Sequence, residues 1–450
     1  MLPKLIALVA FCALALSTTE ARPGWAAPQM RSVLAIAGAT PGAVDVRSYG
    51  ALGDGTGDDT AAFLRAEDAA VASSVRYLSG PSGAPQAVVY VPPGTYRLIR
   101  LTFRSNLRIE VDAAAVLEQA GGRYVDTSSM VAALIVWDGP GGSPLSNVTL
   151  TGVGSSTGGL KSLADPVFPG WSLSSDFTFN LDPGDTAGSV LEAGVQALNV
   201  TDFLIQNVFS IQNATQPASL PTTQDGWWPQ TQRAALGLRE RFDTPANGSA
   251  FYDPHNGTVS NWYNIGGPKG YGPNQVNAAH NVHFQHIFSQ GGTAMRFETD
   301  ASQGKTFASE IRGVSADDIA GLNCNRAVSF SPHAQMNYDV AVTHVQAVSC
   351  AAGVVESIDG TNKLPPGAFI NSTIANVSVR AGNAAQNSSP AGPGLWTVGV
   401  SQQAFAKDKS RQATWSVLYT TGTFSCQGTF QSSSNLILTL NGLVRPVCVP

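Results

Sequence analysis

Four stretches in the second half of the chain recur at nearly constant intervals, and this limits the fold more than any other feature. Asn281 opens NVHFQHIFSQGGTAMRFETD, Ala308 opens ASEIRGVSADDIAGLNCNRAVSFSPH, Asn337 opens NYDVAVTHVQAVSCAAGVVESI and Ala368 opens AFINSTIANVSVRAGN, with starts 27, 29 and 31 residues apart. Each unit holds short runs of alternating apolar and polar residues with Gly, Asn or Ser between them, the period of strands and not of helices. One such unit cannot bury its own apolar face, whereas stacked units bury a continuous core. The expected fold is therefore all-β, a solenoid of short parallel strands.

Composition agrees with this. With 46 Gly, 27 Pro and only 13% charged residues in 450, the chain is too turn-rich for a coiled coil and too apolar for a disordered tail. A net charge of -5 and a pI near 5.7 give no general pull toward nucleic acid or an anionic membrane. An anionic ligand would need a local basic site.

The N-terminus predicts a secretory route. Lys4 precedes the apolar run Leu5 to Leu16, and the small residues Thr19 and Ala21 follow in signal-peptidase spacing. That run is too short for a bilayer of about 30 Å, which takes about 20 residues. We expect a signal peptide over 1–21, a leader over 22–44 and one domain over 45–450, secreted to the cell wall or matrix. Of five cysteines, Cys12 leaves with the signal, and Cys324, Cys350, Cys426 and Cys448 remain. Eight Asn-X-Ser/Thr sequons begin at Asn147, Asn199, Asn213, Asn247, Asn256, Asn371, Asn376 and Asn387 and hint at a eukaryotic route.

Asp45 begins DVRSYGALGDGTGDDTAAFLRAEDAA, in which Asp58 or Asp59 can cap a short helix carrying Ala62, Phe63 and Ala66. A strand (Val88 to Val91), a Pro-Pro-Gly turn and LTFRSNLRIEVDAAAVLEQ follow. This opening resembles the N-terminal cap of pectate-lyase-like proteins, which implies a right-handed, single-stranded parallel β-helix plugged by a short helix. At the spacing of these repeats, Cys324 and Cys350 fall about one coil apart, as do Cys426 and Cys448. Stacked strands lie about 4.8 Å apart, within disulfide reach, so both pairs are expected to bridge neighbouring rungs. The stretch 216–274 breaks the repeat and is rich in aromatics, among them Trp227, Trp228, Tyr252, Trp262, Tyr263 and Tyr271. It reads as a loop excursion whose rings, Trp262 and Tyr271 included, either stack on sugar faces or form a small core of their own.

The chemistry concentrates in Gly292 to Asp300, GTAMRFETD. Alternation sends Met295 and Phe297 inward and leaves Arg296, Glu298 and Asp300 on the outer face. Two residues of strand span roughly 6.6 to 7 Å, inside the range of roughly 6.5 to 9.5 Å between the carboxyls of inverting glycosidases. Laying Ala294–Asp300 over Ala327–His333 puts Met295 over Val328, Phe297 over Phe330 and Asp300 over His333. Glu356 approaches the same column one coil later, and Gln275 precedes Glu298 by nearly one coil.

In this region the sequence resembles iota-carrageenases, the β-helical glycoside hydrolases of family 82, in which a Glu-X-Asp pair on one strand supplies proton donor and base. The resemblance implies Glu298 as donor, Asp300 as base, and Gln275 and His333 as assisting residues. Glu298 beside Phe297 and the aromatic stretch would be desolvated and its pKa raised. Arg296 and Lys269 are the candidates for binding sulfate. The implied partner is a sulfated polysaccharide, met by a monomer, with no cofactor required and a bound ion left open.

Three other readings stand beside it. A galactose-2,6-sulfurylase would expel the 6-sulfate to close a 3,6-anhydro ring, with His333 and Asp300 as base and Arg296 steadying the departing sulfate. A uronan hydrolase or lyase is suggested by Asp317-Asp318, which resembles the paired aspartates of polygalacturonases, although no Gly-His-Gly or Arg-Ile-Lys follows. Arg312 or Arg326 would supply a lyase's basic residue. The last is a non-catalytic wall-binding β-helix. His280, His283 and His286 alternate as metal ligands could, but solvated histidines on a strand fit the pattern better.

Overall fold

The computed structural model describes residues 39–77, 79–119, 133–139, 144–154, 176–181, 193–212, 234–238, 253–266, 274–299, 310–324, 326–332, 335–348, 350, 352–356, 368–380 and 424–431. All of them lie in the compact unit Ile36–Pro450. The expected signal peptide and residues 22–38 of the leader fall outside them.

One file of the core takes one residue from each coil. Val44, Val89, Ile109, Leu150, Ile205, Val259, Phe284, Ala316, Val342, Ile374 and Cys426 follow one another as parallel neighbours, each paired with the next. From Val89 to Ile374 every side chain in this file is buried. Stacking of this kind satisfies the strands' backbone groups from the coils above and below, and it makes the chain a parallel β-helix. Among the described strands the only antiparallel pairing is that of Arg76–Tyr77 with Gln86 and Ala87. The file is unevenly spaced along the chain: the step from Val89 to Ile109 is short, and that from Leu150 to Ile205 is more than twice as long.

Between files the chain turns at single residues in the left-handed region. Asn207, Asn261, His286, Asp318, His344 and Asn376 stack at one such corner, with φ between 52° and 59°. Short polar side chains tolerate this conformation because they bond locally. Here they also bond between rungs: Asn261 donates to Asn207 Oδ1 (2.9 Å), His286 Nδ1 lies 3.0 Å from Asn261 Oδ1, and Asn376 donates to His344 Nε2 (3.2 Å).

The helix Thr60–Ala72 buries Ala62, Phe63, Ala66 and Ala70, and Phe63 packs edge-on against Tyr96 with centroids 5.6 Å apart. Asp59 occupies the N-cap position, yet Asp58 receives the Thr60 amide (2.9 Å) while Asp59 receives that of Leu52 (2.7 Å).

Cys324 and Cys350 form a disulfide across a sequence separation of 26, with Cα atoms 4.3 Å apart. A Cβ at Gly321 would stand 2.7 Å from the Cys324 sulfur, so this rung passes the bridge only as glycine. Cys426 belongs to the strand Phe424–Gln431, and its expected partner, Cys448, lies outside the described residues.

The stretch 216–274 is not wholly an excursion. Ala234–Leu238 and His255–Gly266 are strands that pair in register with the coils before and after them. Trp262, expected to face sugar, is instead fully buried. It stacks toward Phe179 (6.3 Å) and donates its indole N–H to Ser210 Oγ (2.9 Å). Its place on the strand points it inward, where so large an apolar ring is worth more buried than exposed. Tyr263 lies in a second apolar ladder, between Phe209 and Phe288. Trp227, Trp228 and Tyr252 are outside the described residues.

Candidate active site

Thr293–Glu298 lies between the strands Asn274–Val276 and Arg326–Ser331. Met295 pairs with Val328, Phe297 with Phe330 and Glu298 with Ser331. The Phe297 and Phe330 rings stack at 5.0 Å and 10°. Because these two fill the interior, their neighbours Arg296 and Glu298 must face outward. The outward pair is nonetheless shielded, each residue being 8% exposed.

Both oxygens of Glu298 are held by donors. Arg296 Nη2 donates to Oε1 (2.5 Å) and Gln275 Nε2 to Oε2 (2.9 Å). In register Gln275 stands beside Arg296, so its bond to Glu298 runs diagonally across the rung. Asn277 donates to the Glu298 backbone carbonyl (2.8 Å), which fixes the strand end. Glu298 is buried, and among the described residues both of its side-chain oxygens accept from donors.

Arg326 adds a second guanidinium, bonded to Ser329 Oγ (3.1 Å). Burial, reinforced by the like charge of Arg296 and opposed by Glu298, pushes it down to about 10. Two arginines against one glutamate, among the described residues, form the local basic site that a polyanionic ligand needs on a chain of net charge -5. Arg326 carries little sequence signal as a partner of this site. It lies outside the Met295-to-His333 alignment and meets Arg296 only through the coil register.

Asp300 and His333 lie outside the described residues, as do Lys269 and Tyr271. Their immediate neighbours are tied together: Thr299 donates to the Pro332 carbonyl (2.7 Å), and Asn337 reaches Thr299 Oγ1 (3.4 Å). Glu356 does not share the Glu298 file in register. Its backbone pairs with Phe330, one position away from Ser331, because the short step between these coils shifts the count by one.

The histidines form a separate polar band. His280 lies against Asp253 and 3.5 Å from Glu310, His283 Nδ1 is 2.7 Å from Ser315 Oγ, and His286 Nε2 is 3.4 Å from Asp318. Asp317 accepts from Thr343 (2.5 Å) and His344 (2.7 Å). Burial raises Asp317, but these two bonds outweigh it and hold the group below its ordinary value, while burial raises Asp318. No three or more His, Cys, Asp or Glu among the described residues are arranged to hold a metal ion.

Comparison with known proteins bears on both fold and site. Residues 43–107 match the family model of rhamnogalacturonase A/epimerase, pectate lyase-like proteins. The chain is homologous to an iota-carrageenase of Alteromonas macleodii, 27% identical over 311 residues, which is 69% of this chain and 51% of the relative. One from Zobellia galactanivorans is 26% identical over 291 residues, 63% and 50% of the two chains. The chain thus spans about half the length of the curated relatives it matches. An iota-carrageenase solved with iota-carrageenan fragments superposes with a TM-score of 0.60 at 19% identity, covering 90% of this chain and 92% of that one. The family GH82 iota-carrageenase from A. fortis gives 0.55 at 19%, covering 76% and 74%. These likenesses agree on the parallel β-helix.

Proposed function

We propose that the protein is a secreted hydrolase of sulfated galactans of the carrageenan type, working with inversion. The observation that carries this reading is the meeting of Gln275, Arg296 and Glu298 on one outer patch, in a chain homologous to iota-carrageenases. Glu298 protonates the leaving glycosidic oxygen, and Asp300 directs a water to the opposite face of the sugar. Arg296 and Arg326 bind sulfate groups, Gln275 orients the acid, and His333 assists the base. Lys269 and Tyr271 extend the substrate surface. The protein acts as a monomer without a cofactor.

One observation favours a second reading, the galactose-2,6-sulfurylase. Among the described residues Glu298 accepts from donors at both oxygens, which suits an anion standing beside a His333–Asp300 base better than a proton donor. In that reaction a base removes the proton of the 3-hydroxyl, O3 attacks C6, and the C6–O bond to sulfate breaks. Sulfate leaves with the electron pair, beside Arg296, and the 3,6-anhydro ring is the product.

The test is incubation with iota-, nu- and kappa-type carrageenans, reading chain mass, free sulfate and anhydrogalactose together. Chain shortening without sulfate release supports hydrolysis. Free sulfate and new anhydrogalactose at constant chain length, with the mass falling only by the sulfate lost, would replace it with the sulfurylase. Glu298→Gln and Asp300→Asn are each expected to lower turnover by about 100-fold or more with the fold intact. Undiminished activity in both would reject this site.

A further inference from the structure

At Oε1, among the described residues, Glu298 as it stands faces a donor and cannot hold the proton that an acid catalyst needs. A protonated carboxyl must hand its O–H to an acceptor or leave it exposed. Here Oε1 faces Arg296 Nη2 and Oε2 faces Gln275 Nε2. The amide can turn and present its oxygen, but a guanidinium has no acceptor and does not give up its charge. Arg296 is therefore the group that must move before Glu298 can be protonated at Oε1. A sulfate ester is a fixed anion with three acceptor oxygens, and it matches the arginine fork better than a single carboxylate oxygen does. The strand of Arg296 is paired on both sides, so the exchange asks only its side chain to turn.

We propose that a sulfate group of the bound galactan takes Arg296 from Glu298, so that Glu298 acquires its catalytic proton at Oε1 only when a sulfated unit occupies the site. The inference rests on the hydrolase reading above and adds to it a substrate-dependent switch. The proton enters from solvent at Oε1, then passes to the glycosidic oxygen as the C–O bond breaks with its electron pair on the leaving sugar. Arg296 keeps its charge throughout. The groups facing Glu298 among the described residues are Arg296 on its own strand, Gln275 on the strand before, and Arg326 and Ser331 on the strand after. Arg326 remains close by and keeps the pocket positive after the exchange, which holds the sulfate. An unsulfated chain would bind beside an acid still blocked at Oε1, so specificity for sulfation becomes a matter of turnover as well as affinity.

The exchange is tested in the Asp300→Asn protein, which should bind substrate without consuming it. The carboxyl stretch of Glu298 is titrated by infrared difference against the Glu298→Gln, Asp300→Asn protein. The ligands are a sulfated iota-carrageenan oligosaccharide and the same oligosaccharide chemically desulfated. The sulfated ligand is expected to raise the midpoint by about one pH unit or more, and the desulfated ligand to leave it in place. Adding Arg296→Gln should raise the midpoint without ligand and abolish the response, whereas Arg296→Lys should retain a response to sulfate. Equal midpoints with both ligands, or no shift with the sulfated one, would overturn the exchange whether or not the Arg296 variants fold. Chain length in the unmodified enzyme is read separately. Shortening without a shift rejects the exchange and leaves hydrolysis standing, and a shift without shortening does the reverse.

Discussion

Arg108 Nε lies 2.7 Å from Glu110 Oε1, in an Arg-X-Glu sequence with the same spacing as Arg296 and Glu298. The two pairs differ in what surrounds them. Glu110 also receives the amide and hydroxyl of Thr40, at 2.7 Å each, and Arg108 lies over the Tyr77 ring at 4.0 Å. Residues near the N-terminal cap thus close the first pair. The second faces an outer patch with a neighbouring arginine. Glu110→Gln is expected to cost roughly 3 to 5 kcal/mol of stability, as breaking a buried pair does, with activity per folded molecule unchanged. Glu298→Gln is expected to remove turnover at a smaller cost in stability, because its pair is less completely buried than that of Glu110. Thermal melts and turnover measured on both variants separate the roles.

The bridge between Cys324 and Cys350 closes a loop over one rung, at a sequence separation of 26. Chain-entropy reasoning gives it roughly 2 to 4 kcal/mol. Cys324→Ala with Cys350→Ala should therefore melt several degrees lower than the parent, and a reducing agent should lower the parent by more than it lowers the variant, which keeps Cys426 and Cys448. Equal melting temperatures with and without reductant would show that the rung holds without its bridge.

Phe330 supports the site from beneath. Its ring lies under Phe297 and meets Phe369 edge-on at 5.0 Å, so one side chain links three coils. Phe330→Ala should cost about 3 to 5 kcal/mol. It should also reduce turnover in the protein that remains folded, because Arg296 and Glu298 flank the ring that loses its support. Phe177→Ala, in an aromatic pair of earlier coils, is the control: a comparable loss of stability with turnover retained.

The coils are legible in the sequence only where insertions are short. From Val259 through Phe284, Ala316 and Val342 to Ile374 the core file advances in short, similar steps, and there the repeat can be read and Phe297 placed over Phe330. From Ile109 through Leu150 and Ile205 to Val259 the steps are much longer. The insertions hide the period, and the rung at His255–Gly266 reads as part of a loop. Trp262 is misplaced for that reason, since an aromatic residue in an assumed loop gives no sign of which way it points. Glu356 is off by a single residue of register, its backbone pairing with Phe330 and not with Ser331. The alternation that turns Arg296 and Glu298 outward is legible, but the closeness of Arg326 is not, because it depends on a register between coils that no local pattern encodes.

The histidine band should titrate in two directions. Burial lowers His280, but the hydrogen bond and charge of Asp253, with Glu310, outweigh it and raise the group above its ordinary 6.5. Burial lowers His283, and the charge of Asp317 offsets this only in part. A histidine raised on folding adds stability that is complete below its unfolded pKa and is lost as pH rises through the folded one. A histidine lowered on folding adds stability above its unfolded pKa that is lost as pH falls through that value and then through the folded one. The two contributions therefore oppose each other on either side of about pH 6.5. Asp253→Asn should bring the His280 titration down and remove the gain on the acid side, leaving His283 unmoved. Ring-proton NMR titrations of the parent and the variant, with melting temperatures across the same pH range, test this; a His280 midpoint that is the same in both proteins would show that Asp253 does not hold its charge.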